Sequence, residues 1–164
     1  MRYIFLFFSI ISFAQQINQV DFISCTASLY PNFEEKSISG SVTYDFKVKQ
    51  IIDTIKIDAK NMKFSEVMIN DKLVKFTNSG RTLNLFEGFS KGKNKLTFLY
   101  HAIPKQTLYF LGQDDNRQIW TQGQGKYTSH WLPSFDDVNE KLIFSIKINF
   151  NKKYQVISNG VLKN

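Results

Sequence analysis

The sequence predicts an all-β protein, an antiparallel β-sandwich of short strands. Nearly every apolar run beyond the first fifteen residues has period two, the mark of a strand with one buried face. Turn signals recur about every 8 to 12 residues, as in sandwiches and barrels. No stretch carries the 3.6-residue period of an amphipathic helix; Phe135 to Glu140 has room for one turn. The chain has 164 residues, enough for one domain with its own core but short for two. A hydrophobic fraction of 43% excludes a disordered chain.

The first segment has the form of a signal peptide. Met1-Arg2 supplies a positive start, and Tyr3 to Phe13 is apolar but too short to span a bilayer. Ser12-Phe13-Ala14 sets small residues at the positions a signal peptidase reads, so residues 1–14 are expected to be removed before Gln15. Residues 15–164 then form the mature domain, exported to the periplasm, the envelope or the medium, with no transmembrane helix expected. Cys25 is the single cysteine, so no internal disulfide is available; a small buried strand residue is the simpler role.

Val20 to Tyr30 reads as the first strand, ending at Pro31-Asn32, with Glu34-Glu35-Lys36 as an exposed turn. Ile38, Val42, Tyr44, Phe46 and Val48 alternate with polar residues in the second, where Gly40 marks a bulge or a close approach. Ile55, Ile57 and Ala59 form a third. Phe64 to Ile69 and Leu73 to Phe76, joined by Asn70-Asp71, read as a hairpin. After a turn at Asn78-Ser79-Gly80 come Leu83 and Leu85, then Leu96, Phe98 and Tyr100. Leu108 to Leu111 is a short run, followed by Ile119 to Thr121. Leu142, Phe144, Ile146, Ile148 and Phe150 share one face of a last strand.

Net charge is +7, with the lysines spread singly along polar faces and turns. Only Lys91 to Lys95 is locally dense, and it reads as a loop tip. A nucleic-acid partner is not expected, because that surface needs a concentrated basic stripe. His101 and His130 stand far apart with no ligand nearby, so no metal site is expected from this chain. The glycines at 123 and 125 do not make a phosphate loop: Trp120 stands where Gly is needed and Tyr127 where Ser or Thr is needed. Ser129-His130 lacks the nucleophile turn and partner of a serine hydrolase. Asp136-Asp137 suits turn capping better than an acid pair. The sequence therefore offers no catalytic residue.

Polar residues and aromatics concentrate between Gln118 and Phe150. Thr121-Gln122-Gly123-Gln124 is followed by Ser129-His130-Trp131-Leu132-Pro133-Ser134-Phe135-Asp136-Asp137, then by Glu140-Lys141 and a strand with Phe144. This segment resembles the aminopeptidase N family of zinc metallopeptidases, specifically its N-terminal domain. Ser37 to Phe46, Ile55 to Met62, Leu96 to Pro104 and Val156 to Gly160 are similar to other parts of that domain, so the resemblance spans nearly the whole mature chain.

The resemblance implies a saddle of β-sheets that docks against a thermolysin-like catalytic domain, in cis or in trans. It implies a saddle incomplete at its C-terminal end. The zinc, its H-E-x-x-H ligands and the general base belong to the catalytic domain, so no cofactor is expected in this chain and zinc only in the absent part. It further implies that the T-Q-x-E loop of the family, here Thr121 to Gln124, helps bind the free N-terminus of a peptide substrate, which assigns that role to Gln122 and Gln124. Gln124 replaces the family's Glu, keeping a hydrogen-bond acceptor and losing a charge. Ser134 stands where Cys is usual and Val138 where Pro is usual. Trp131-Leu132-Pro133 with Phe135 reads as a packing knot at the loop's exit. The alternative is a stand-alone binding or scaffold module without a peptidase role.

Overall fold

A computed structural model describes residues 16–163, and the expected signal peptide lies outside them. The alternation seen in the sequence becomes eleven strands and three single 3-10 turns. The strands are β1 (Val20–Asn32), β2 (Ser37–Val48), β3 (Ile55–Asp58), β4 (Met62–Ile69), β5 (Lys72–Leu73), β6 (Phe76–Asn78), β7 (Thr82–Leu85), β8 (Gly92–Ala102), β9 (Leu108–Leu111), β10 (Gln118–Thr121) and β11 (Ile143–Ile148). They form a six-stranded sheet of order β11-β1-β2-β8-β4-β5, a three-stranded sheet β3-β7-β6 and a ribbon β10-β9. No helix among the described residues is long and apolar enough to cross a membrane.

The large sheet is amphipathic because β2 and β8 alternate strictly. Val42, Tyr44, Phe46, Leu96, Phe98 and Tyr100 point inward and are buried. Ser41, Thr43, Asp45, Thr97 and Leu99 occupy the other face. Ile55, Ile57, Leu83 and Leu85 of the small sheet join the same core cluster. Two layers thus share one core, as expected of a sandwich. Cys25 lies within it, and burial pushes its thiol up to about 11, so the thiolate form is suppressed.

Several local features follow from residue chemistry. Asn70 and Asp71 both hold positive φ (52° and 64°), which makes the two-residue turn between β4 and β5. Gly40 stays in register between Leu29 and Tyr100, so no bulge forms there. A Cβ at Gly40 would lie 2.7 Å from the Tyr100 ring and 3.0 Å from the Ser28 carbonyl, so close approach is what demands glycine. The bulge in β1 falls instead between Phe22 and Ser24. Glu140 serves it, its carboxylate accepting the Phe22 N–H at 2.8 Å. Partial burial holds that carboxyl above its ordinary range.

Three details differ from the sequence reading. Leu73 to Phe76 is not one strand: β5 ends at Leu73 and β6 begins at Phe76 in the other sheet. Between them the Val74 N–H returns to the Val67 carbonyl and the Lys75 N–H to the Glu87 carboxylate. β1 runs through Pro31 to Asn32. That is permitted because pairing with β11 stops at Leu29, leaving the missing N–H on an open edge. Finally, β11 pairs parallel with β1, from Ser24↔Ile143 to Leu29↔Ile148, whereas every other strand pairing among the described residues is antiparallel.

Candidate functional site

The Thr121–Gln124 loop leaves the end of β10, where the β9–β10 ribbon fixes its start. Leu108 pairs with Thr121, and the Gln122 N–H donates to the Thr107 carbonyl at 2.9 Å. Gly125, at φ 75°, turns the chain out of the loop. Gln122 and Gln124 are both exposed, and their side chains have no hydrogen-bond partner among the described residues. Trp120, one residue before the loop, stacks on Tyr109 at 4.6 Å between ring centroids and remains half-exposed.

The loop's exit is held by a buried polar knot. A 3-10 turn at Thr128–His130 buries Ser129 completely. The Asp136 carboxylate accepts the Ser129 N–H at 3.2 Å, the Ser129 hydroxyl, and the Ser134 hydroxyl at 3.2 Å. The Asp136 N–H donates to the Asp58 carboxylate at 3.1 Å. Asp58 and Ser134 also form an isolated antiparallel bridge, with N–H to carbonyl distances of 2.9 and 3.0 Å. The knot is thereby tied to β3. Apolar contacts complete it: Leu132 and Pro133 are buried, and the Phe135 ring lies 3.7 Å from Phe22. The Tyr44 hydroxyl, at the core's centre, donates to the Pro133 carbonyl.

This geometry settles the roles of the polar candidates. The Ser129 hydroxyl is committed to Asp136, so Ser129 and His130 do not form a nucleophile pair. The His130 ring faces Tyr127 at 5.8 Å and contacts the Gln106 amide, 3.0 Å from Nε2. Desolvation, then the Lys60 charge, lower its pKa below the ordinary histidine value, against the opposing pull of Asp136. Asp136 is a hydrogen-bond hub, while Asp137 accepts from the Asn139 N–H at 2.9 Å, so the two acids cap separate turns. His101 lies on the polar face of the large sheet, its Nδ1 3.0 Å from the Ser39 hydroxyl. Asp58 is the member of the knot that sequence reading missed. Its only sequence signal is a carboxylate at the end of an alternating strand, since its partners lie far along the chain.

The described residues do not fit a zinc ion: among them no three His, Cys, Asp or Glu side chains converge. What the arrangement offers is a loop held at both ends and presenting two uncharged amides, each with one acceptor oxygen and two N–H donors.

The decisive observation is a family comparison over the same stretch. The Peptidase M1 N-terminal domain profile matches residues 24–164. The chain belongs to the peptidase M1 N-terminal domain family. This M1 N-terminal domain is 26% identical over 133 residues to Probable aminopeptidase 1 of Sulfurisphaera tokodaii, covering 80% of this chain and 16% of that protein. Its fold is similar to that of native leukotriene A4 hydrolase from Saccharomyces cerevisiae, with TM-score 0.71, 21% identity and coverage of 80% of this chain and 23% of that one. It is also similar to an M1 zinc metallopeptidase mutant of Deinococcus radiodurans bound to a Tyr-Ser-Ala substrate. There the TM-score is 0.66 at 16% identity, with 79% of this chain and 32% of that one covered. The M1 N-terminal domain therefore spans less than a third of the length of each of these relatives.

Proposed function

We propose that this M1 N-terminal domain is the substrate-facing part of an exported zinc aminopeptidase-like protein, in which Gln122 and Gln124 hold the free N-terminal amine of a peptide. Residues 1–14 direct export. The zinc and the general base lie on a thermolysin-like catalytic domain, supplied in cis or in trans. The observation that carries this reading is the Thr121–Gln124 loop: two exposed amides on a loop fixed at one end by β10 and at the other by the buried knot. A peptide's ammonium group is a three-fold donor, and the two amide oxygens are acceptors suited to it. A relative of the same fold bound to a tripeptide supports a peptide as the ligand.

The amide pair recognises an amine by hydrogen bonding alone, so its contribution is modest. In the zinc enzyme that contains this domain, Gln124→Ala is expected to lower kcat/KM for peptides with a free N-terminus about tenfold, near the worth of one hydrogen bond to a charged group. Gln124→Glu restores or exceeds the original value, because a carboxylate adds charge attraction. N-acetylated peptides respond to neither change. Steady-state rates on matched free and acetylated peptides check this, and an unchanged kcat/KM in Gln124→Ala removes the loop from substrate binding.

A further inference from the structure

The β9–β10 ribbon that carries the Thr121–Gln124 loop pairs with neither larger sheet among the described residues. An apolar groove of about 810 Å³ lies between the ribbon and β11, lined by Ile119 and Trp120 on one side and by Phe144 and Ile146 on the other. A two-stranded ribbon by itself is marginally stable in water. Its order therefore depends on the packing of Leu108, Phe110 and Ile119 against the core, and on side-chain ties at its two ends. At the loop end, the Thr107 hydroxyl donates to the Tyr127 carbonyl at 3.2 Å and Gln106 meets His130. At the far end the tie is Arg117.

Arg117 follows the 3-10 turn Asp114–Asn116 and precedes Gln118, the first residue of β10. Its guanidinium reaches the β1–β2 turn, 83 positions away in sequence. There it donates to the Glu34 carboxylate and lies over the Phe33 ring, 4.8 Å from the centroid. Phe33 also meets Phe110 of β9 edge-on at 6.0 Å, so the same ring engages β9 and the residue that opens β10. The turn is built to present this pair. The Asn32 side chain accepts the Glu35 N–H at 3.2 Å, the Lys36 N–H returns to the Phe33 carbonyl at 3.3 Å, and the Ser37 hydroxyl donates to the Glu35 carboxylate at 3.1 Å. Glu35 is thereby committed to the turn, and Glu34 serves Arg117. A guanidinium suits both partners, since its plane stacks on a ring while its edge donates to a carboxylate. The ion pair alone is weak, because Glu34 is 73% exposed, and the ring contact adds to it.

We propose that Arg117 is a positioning residue for the Thr121–Gln124 loop, acting through the ribbon. Phe33 and Glu34 clasp its guanidinium, fix the far end of β10, and so hold the loop at the near end in one place. The clasp itself involves only residues of this chain; its effect on a substrate rests on the peptidase reading above.

The test follows the Gln122 amide, which donates to the Thr107 carbonyl at the loop end, by hydrogen exchange in the 164-residue chain. Arg117→Ala should make it exchange about tenfold faster, while β2 and β8 amides keep their rates. Glu34→Gln changes an exposed side chain and spares the core; it should quicken the same amide about two- to threefold. Arg117→Lys keeps the charge, loses the flat stack and should fall between the two. Arg117→Ala combined with Glu34→Gln should exchange no faster than Arg117→Ala alone, because both remove one contact. A Gln122 rate in Arg117→Ala within about twofold of the unmodified chain overturns the proposal. So does equal acceleration in β2 and β8, which would make Arg117 a support of the whole body. In the zinc enzyme that contains this domain, Arg117→Ala should raise KM for peptides with a free N-terminus about threefold, with kcat and N-acetylated substrates unchanged. Faster Gln122 exchange with an unmoved KM leaves the clasp standing and counts instead against substrate contact by the loop.

Discussion

Replacing Asp136 with Ala destabilises the domain by about 4 kcal/mol, because one carboxylate satisfies three buried donors and each orphaned donor costs roughly 1–3 kcal/mol. The donors are the Ser129 N–H, the Ser129 hydroxyl and the Ser134 hydroxyl, all in a loop with almost no solvent access. The two hydroxyls can rotate toward other acceptors, and the fixed backbone N–H cannot, which keeps the total below the sum of three full penalties. Domains of this size hold only about 5–15 kcal/mol in reserve, so the loss is a large share of it. Asp136→Asn keeps the volume and one acceptor oxygen and should cost about half as much. Urea unfolding at neutral pH measures both, and a loss below about 1 kcal/mol in Asp136→Ala would show that the knot carries no weight.

Phe22→Ala is expected to cost a similar amount, about 4 kcal/mol, through a cavity rather than through lost hydrogen bonds. Phe22 is 1% exposed and packs against three other rings. It stacks on Phe46 at 5.2 Å, meets Tyr44 edge-on at 5.5 Å and supports Phe135 at 3.7 Å. Aromatic pairing contributes only about 0.5–1.5 kcal/mol per contact, so the void left behind is the larger part. Phe22→Leu, which fills much of the space, should cost about 1–2 kcal/mol. The effect has a direction along the chain as well. Phe135 lies in the knot at the exit of the Thr121–Gln124 loop, so residues 129–136 should lose exchange protection before β2 or β8 does. Equal loosening everywhere would show that Phe22 does not couple the core to the loop.

The antiparallel body of the fold was legible because one face of each long strand is packed and the other wet. Ile38, Val42, Tyr44, Phe46 and Val48 alternate in sequence, and all are buried. The same signal misleads at β11. Phe144, Ile146 and Ile148 alternate as cleanly, but alternation reports an apolar face and not what covers it, and theirs faces the groove. Nor does periodicity carry direction: the parallel pairing of β11 with β1 joins residues more than a hundred positions apart. The break between Leu73 and Phe76 was hidden because neither Val74 nor Lys75 disfavours a strand; the interruption comes from Glu87, across the fold. At the candidate site, Trp131 to Phe135 was readable as packing from its composition. The Ser129, Ser134 and Asp136 knot was not, because its tie to Asp58 spans 78 positions. Gln122 and Gln124 stood out only through the family resemblance, since amides on a glycine loop have no chemistry of their own to mark them.

The proposed function requires a zinc catalytic domain to work with this M1 N-terminal domain. The most direct test is to read the coding sequence that follows the Asn164 codon, in the same frame and in the neighbouring one. A frame encoding H-E-x-x-H with a distant third Glu is the predicted result, and it would make the Thr121–Gln124 loop the substrate-facing edge of an aminopeptidase. A genome region with no such sequence would contradict the account, leaving a β-sandwich whose exposed amides and apolar groove serve some other binding role.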